Sequence, residues 1–147
     1  MAEKALFILL GILLLFCSVQ DLWRRKVYLW MLGAGAACIL IFLPFCERLD
    51  ILSRIGGLLI GLAIIFISKI TAGKIGMGDG ILLCITGLGL GFWANMELFG
   101  IALCLAAVIS ILLMIIRVLD HKKSIPFIPF LFAGYLILYV ASNGTMI

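Results

Sequence analysis

Residues 4–26 read KALFILLGILLLFCSVQDLWRRK. Residues 5–20 carry no charge and are almost all apolar, and Asp21 and the cations Arg24, Arg25 and Lys26 follow. A hydrocarbon core about 30 Å thick is crossed by about 20 apolar residues in a helix, with a range of about 17–25. A secretory signal would need a net positive start and a small-residue cleavage site. Here Glu3 offsets Lys4, no Ala-x-Ala site directly follows the run, and bulky Phe16 stands where a lipoprotein site needs a small residue before Cys17. The run therefore reads as a retained membrane span, residues 4–20.

The rest of the chain repeats the pattern. Of the 147 residues, 66% are hydrophobic and 12% charged, against about 45–50% and about 25% in soluble domains. A small soluble fold keeps much of its surface in water and cannot hide so much apolar area. Further spans are expected at 27–45, 52–70, 79–93, 97–117 and 125–142. The fourth is short and rich in glycine (Gly87, Gly89, Gly91), a residue that lets helices approach closely. The expected loops are Asp21–Lys26, Cys46–Ile51, the approach to Gly78, Ala94–Met96 and Val118–Ser124. Loops one, three and five, with their flanks, hold eight of the eleven Lys and Arg residues. Cytoplasmic loops are the ones enriched in Lys and Arg. The expectation is an all-α, polytopic membrane protein: one domain over 1–147, six transmembrane helices, and N- and C-termini outside. A net charge of +4 spread over short loops is no nucleic-acid footprint; the lipid bilayer is the expected surrounding.

Metal or cofactor chemistry is not expected. Cys17, Cys38, Cys84 and Cys104 lie inside apolar runs, where free cysteine behaves as a small apolar residue. No Cys-x-x-Cys pair occurs with Cys46 or any other, and His121 is the single histidine. A structural metal site needs several converging ligands.

The acids are more informative. Glu3, Glu47, Asp50, Glu97 and Asp120 read as solvated charges at helix ends or in loops. Asp21 closes the first apolar run, and pairing with Arg24 or Arg25 at helical spacing would explain it as an interfacial acid. Asp79 lies in Gly76-Met77-Gly78-Asp79-Gly80, directly before the fourth span. It could be a helix cap, and the flanking glycines would permit positive φ and close backbone approach. The loop charges put both acids on the cytoplasmic face, although they are 58 positions apart. An ionisable group near the membrane core is costly and points to function. Two carboxyls held together share a proton more readily than both ionise. One can then activate water while its protonated partner polarises a peptide carbonyl.

These residues resemble the type IV prepilin peptidases, a family of Gly-x-Gly-Asp intramembrane aspartic proteases. The resemblance rests on an aspartate at the inner end of helix one, Gly-x-Gly-Asp at helix four and six spans. A third stretch, Ile125-Pro126-Phe127-Ile128-Pro129-Phe130, is similar to the family's Pro-Phe-Gly-Pro-Phe; it also suits an ordinary helix start, where proline is tolerated. The chain departs from the family pattern in three places. Val27-Tyr28-Leu29 stands where the family usually reads Ile-Pro-Asn, Ile81 stands for a lysine, and Ile128 stands for the central glycine. Nothing corresponds to the methyltransferase region of the larger members, so the chain resembles the short, peptidase-only type serving Flp/Tad-like pili.

The resemblance implies Asp21 and Asp79 as the catalytic pair. Gly76 and Gly78 would shape the loop that holds Asp79, and Pro126, Phe127 and Pro129 would lie in a supporting segment near the site. It implies a prepilin-like membrane protein as substrate, its short basic leader cut at the cytoplasmic face of a prokaryotic cytoplasmic membrane. An alternative is a small membrane transporter, or a scaffold subunit of a secretion system, using the acids as ion ligands.

Overall fold

The computed structural model describes residues 2–24, 28–45, 50–71, 76–116 and 126–142. Its elements are α1 (Ala2–Arg24), α2 (Leu29–Phe42) with a 3₁₀ turn at Leu43–Phe45, α3 (Ile51–Ile70), α4 (Met77–Leu90), α5 (Phe92–Ile115) and α6 (Ile128–Ser142). The described residues are thus all-α, with a helix at each expected span. Residues 4–24 of α1, with α3 and α5, are long and apolar enough to cross a membrane, while α2, α4 and α6 are shorter. The 14 residues of α4 rise only about 21 Å.

The outside of the bundle is as apolar as its inside. On α1, Leu6, Leu10, Leu14 and Cys17 face the core, whereas Ile8, Ile12, Leu15 and Val19 face outward. Both sets recur every three to four residues, the spacing of helix faces. On α5, Val108, Ile111, Leu112 and Ile115 are all exposed. Lipid tails solvate such a surface without cost, so the helices are held to one another by close packing and internal hydrogen bonds.

The closest packing is between α3 and α4. The buried residues of α3 are Gly57, Gly61 and Ser68, a stripe without bulky side chains. A Cβ on Gly57 would strike the Gly87 carbonyl, one on Gly61 would strike Cys84, and one on Gly80 would come within 2.6 Å of Ile65 Cγ1. The antiparallel register 57–87, 61–84, 65–80 follows. Gly80, Gly87 and Gly89 are therefore packing residues, and α4, which also meets α1, α2 and α5, is the helix at the heart of the bundle. Its shortness fits that position, since a helix buried on all sides is shielded by its neighbours.

One expected loop is corrected. Ala94–Met96 lies in the first turns of α5, and the reversal from α4 happens at Gly91 alone. Gly91 has φ 81°, a conformation that side chains disfavour. Its N–H donates to the Gly87 carbonyl (2.9 Å) and its carbonyl accepts from Asn95 N–H (3.1 Å), so one residue ends one helix and begins the next. Asn95 belongs to the core. It is fully buried, its Oδ1 accepts from the Thr86 hydroxyl at 2.7 Å, and its Nδ2 donates to the carbonyls of Gly57 (3.2 Å) and Leu83 (3.1 Å). One side chain thereby ties α5 to α3 and α4. Across the bundle, the Tyr135 hydroxyl of α6 donates to the Phe7 carbonyl of α1 at 2.6 Å.

Candidate functional site

Asp21 extends the buried stripe of α1. Leu10, Leu14 and Cys17 are fully buried, and Asp21, one turn beyond Cys17, is 9% exposed, while its neighbours Leu22, Trp23 and Arg24 are exposed. The carboxyl is thus on the inward face of the helix. Arg24, one of the two partners expected for it, donates to the Tyr28 hydroxyl at 2.8 Å. The other, Arg25, lies outside the described residues, as do Val27, Cys46 and His121.

Asp79 is not the cap of α4. The helix begins at Met77 with Gly76 as its N-cap, which puts Asp79 in the first turn, its N–H donating to the Gly76 carbonyl at 3.2 Å. A carboxylate there sits favourably at the positive end of the helix dipole. Gly76 has φ −60° and ψ 118°, values open to any residue, and Gly78 is helical. The expected positive φ is absent at both. What Gly76 provides is space: a Cβ there would lie 2.6 Å from Asp79 Oδ2. The carboxyl folds back over the glycine, where no side chain intervenes.

The register of α1 on α4 brings the two acids to one level. Leu10 packs where Gly89 lacks a side chain, 2.7 Å from the position of a Cβ. From that contact, eleven residues along α1 lead to Asp21 and ten residues back along α4 lead to Asp79. At 1.5 Å per residue these are rises of about 16 and about 15 Å. The two acids consequently lie at one level of the bundle, Asp21 on the inward face of α1 and Asp79 in the first turn of α4. Such a pair has the elements of an acid–base couple.

The Pro126–Phe130 stretch begins α6. Phe127 precedes the helix, its carbonyl accepting from Phe130 N–H (3.0 Å) and Leu131 N–H (3.2 Å). Pro129, second in the helix, lacks an N–H that would have no partner in the helix. The Phe127 ring meets Phe99 of α5 edge-on at 6.3 Å, and Ile128 is buried in the core. The structure therefore sets Asp21 and Asp79 at one level of the bundle, and places this stretch against α5.

Two features went unnoticed in the sequence. Gly57-Leu58-Leu59-Ile60-Gly61 is a Gly-x-x-x-Gly pattern in an apolar run, a legible sign of close helix contact. Asn95 had no such signal, because one amide beside charged Glu97 reads as loop. Among the described residues, no group of three or more His, Cys, Asp or Glu side chains converges.

The family model described as the type IV leader peptidase family matches residues 8–112, a range that contains both acids and runs from within α1 to near the end of α5. No curated protein and no solved structure matches the chain significantly.

Proposed function

The chain belongs to the type IV leader peptidase family, and we propose that it is a membrane-embedded aspartic endopeptidase in which Asp21 and Asp79 are the reacting pair. The observation that carries this reading is geometric: the α1–α4 packing has both acids at one end of the bundle, with Asp21 on the inward face of α1. One carboxylate takes a proton from water, which attacks the scissile carbonyl. The protonated partner donates to the carbonyl oxygen, and a proton passes to the leaving amine as the tetrahedral intermediate collapses. Peptide bonds within a helix are shielded by their own hydrogen bonds, so the bond is presented from an extended stretch.

We place the reaction at the cytoplasmic face of a prokaryotic cytoplasmic membrane, with six helices crossing and both termini outside. The basic residues of loops one, three and five support that orientation. The exposed tryptophans suit helices that cross a membrane: Trp23 and Trp30 flank the first connection and Trp93 lies in the first turn of α5, positions fitting the two lipid–water interfaces. The substrate is a prepilin-like membrane protein whose leader is removed. An ion-carrying pair would belong near the midplane, whereas these acids stand in the last turn of α1 and the first turn of α4.

The test uses Asp21→Asn and Asp79→Asn separately, each expressed in membranes with a tagged prepilin-like precursor. Each variant is expected to lose processing by at least about 100-fold while folding normally. Unimpaired cleavage by either one would sink the paired-carboxyl mechanism.

A further inference from the structure

Arg24 is the last residue of α1 and is exposed. Its guanidinium donates to the Tyr28 hydroxyl at 2.8 Å. Both side chains line a surface groove of about 430 Å³ between α1 and the start of α2. Phe16, Val19 and Trp23 line it from α1 and Met31 from α2. Phe16, Val19 and Trp23 share one helix face by their spacing. All three are exposed, whereas Leu14, Cys17 and Asp21 face the core. Phe16 lies eight residues before Arg24, about 12 Å along the axis. The groove is therefore apolar along the outward side of a helix long enough to cross a membrane, and cationic where that helix ends.

We infer that this groove binds one anionic phospholipid, with an acyl chain along Phe16, Val19 and Trp23 and the phosphate at Arg24 and Tyr28. The polarity of the groove runs in the order of a lipid, headgroup at the helix end and chain along the helix. Arginine carries five N–H donors. One is bonded to Tyr28, which steadies the guanidinium, and the others have no partner among the described residues. They suit phosphate oxygens, which arginine engages in pairs. The Tyr28 hydroxyl accepts from Arg24 and keeps its own proton to donate. Exposed Trp23, Tyr28 and Trp30 are residue types enriched at headgroup level. The next two residues in the sequence, Arg25 and Lys26, are also cationic, and juxtamembrane basic clusters attract anionic lipids. A zwitterionic lipid brings its own cation to its phosphate and gains less. A free phosphate leaves the apolar wall unused. The lipid would touch both α1 and α2 and so fix the depth of the last turn of α1, which carries Asp21 on its other side. The site stands whether or not the chain is a peptidase.

Trp23 can report on its own groove, because the other tryptophans are Trp30 and Trp93. The full chain with Trp30→Phe and Trp93→Phe is reconstituted in phosphatidylcholine with a minor fraction of phosphatidylglycerol. Bromine, which quenches tryptophan on contact, is carried on the acyl chains of one lipid at a time, at equal mole fraction. Brominated phosphatidylglycerol is expected to occupy the Trp23 site about fivefold more readily than brominated phosphatidylcholine, the preference set by one cation near the surface. Equal quenching by the two lipids would leave only the general lipid shell and overturn the site. Arg24→Gln is expected to abolish the preference and Arg24→Lys to keep part of it. An undiminished preference in Arg24→Gln overturns the headgroup contact. A companion chain with Trp23→Phe and Trp30→Phe reads the exposed Trp93 of α5, where no preference is expected. The same preference there would show diffuse attraction and overturn a site at the groove. Inorganic phosphate, added at constant ionic strength, is expected to leave the quenching of Trp23 unchanged. Relief of quenching would assign the cationic end to a free anion and overturn the lipid.

Discussion

Gly57 of α3 and Gly87 of α4 meet backbone to backbone, and a methyl group on either would collide with the other's carbonyl oxygen. The contact sets how α4 lies on α3, and α4 carries Asp79. Neither backbone can turn aside as a flexible side chain would. Gly87→Ala and Gly57→Ala are therefore expected to wedge the helices apart, with a cost of about 1–3 kcal/mol, usual for overpacking. Thermal unfolding in detergent checks this. A midpoint equal to that of the unsubstituted chain would show that the seam yields freely.

The Thr86–Asn95 pair makes a different demand. In Asn95→Leu the hydroxyl of Thr86 loses its 2.7 Å acceptor, and α5 loses its bonds to Gly57 and Leu83. A loss of about 1–3 kcal/mol is expected. Removing Thr86 as well, in Thr86→Val with Asn95→Leu, should add less than the two single costs combined, because both substitutions break one bond. A double-mutant cycle read by chemical denaturation measures this coupling, and strict additivity would contradict the clasp.

Gly76→Ala separates activity from stability. Alanine adopts the φ and ψ of Gly76 without strain, and replacing glycine at such a site costs the fold nothing or stabilises it slightly. The new methyl, however, occupies the space over which the Asp79 carboxyl folds. Precursor processing is expected to fall about tenfold or more, as small misplacements of reacting groups commonly cause, while the unfolding midpoint holds or rises. Normal processing would show that the carboxyl's placement over Gly76 is immaterial.

Tyr135→Phe removes the one hydroxyl that joins α6 to the Phe7 carbonyl and leaves the ring in place. The expected loss is about 0.5–1.5 kcal/mol, read from the same unfolding curves. Gly11→Leu at the same contact should cost more, since a Cβ there already lies 3.2 Å from the Tyr135 ring. The reverse order would mean that the ring contact contributes little.

Helix number, helix limits to within a few residues and an apolar exterior were legible in the sequence, because hydropathy and helix length are properties of a single segment. The basic loops likewise assigned Asp21 and Asp79 to one end, since that inference needs only the parity of the spans. Tertiary structure alone decided the rest. The place of α4 inside the bundle, the Gly57–Gly87 contact and the burial of Asn95 depend on which faces of different helices meet, and no single helix encodes its partner's register. At Gly91 a one-residue reversal replaced the expected loop, because the left-handed backbone and the hydrogen bonds of Asn95 let α5 begin where α4 ends. Gly76 shows the same division at one residue. Its identity suggested backbone freedom, but its ordinary φ shows that what mattered was the space kept clear for the Asp79 carboxyl, a matter of packing that only the folded chain defines.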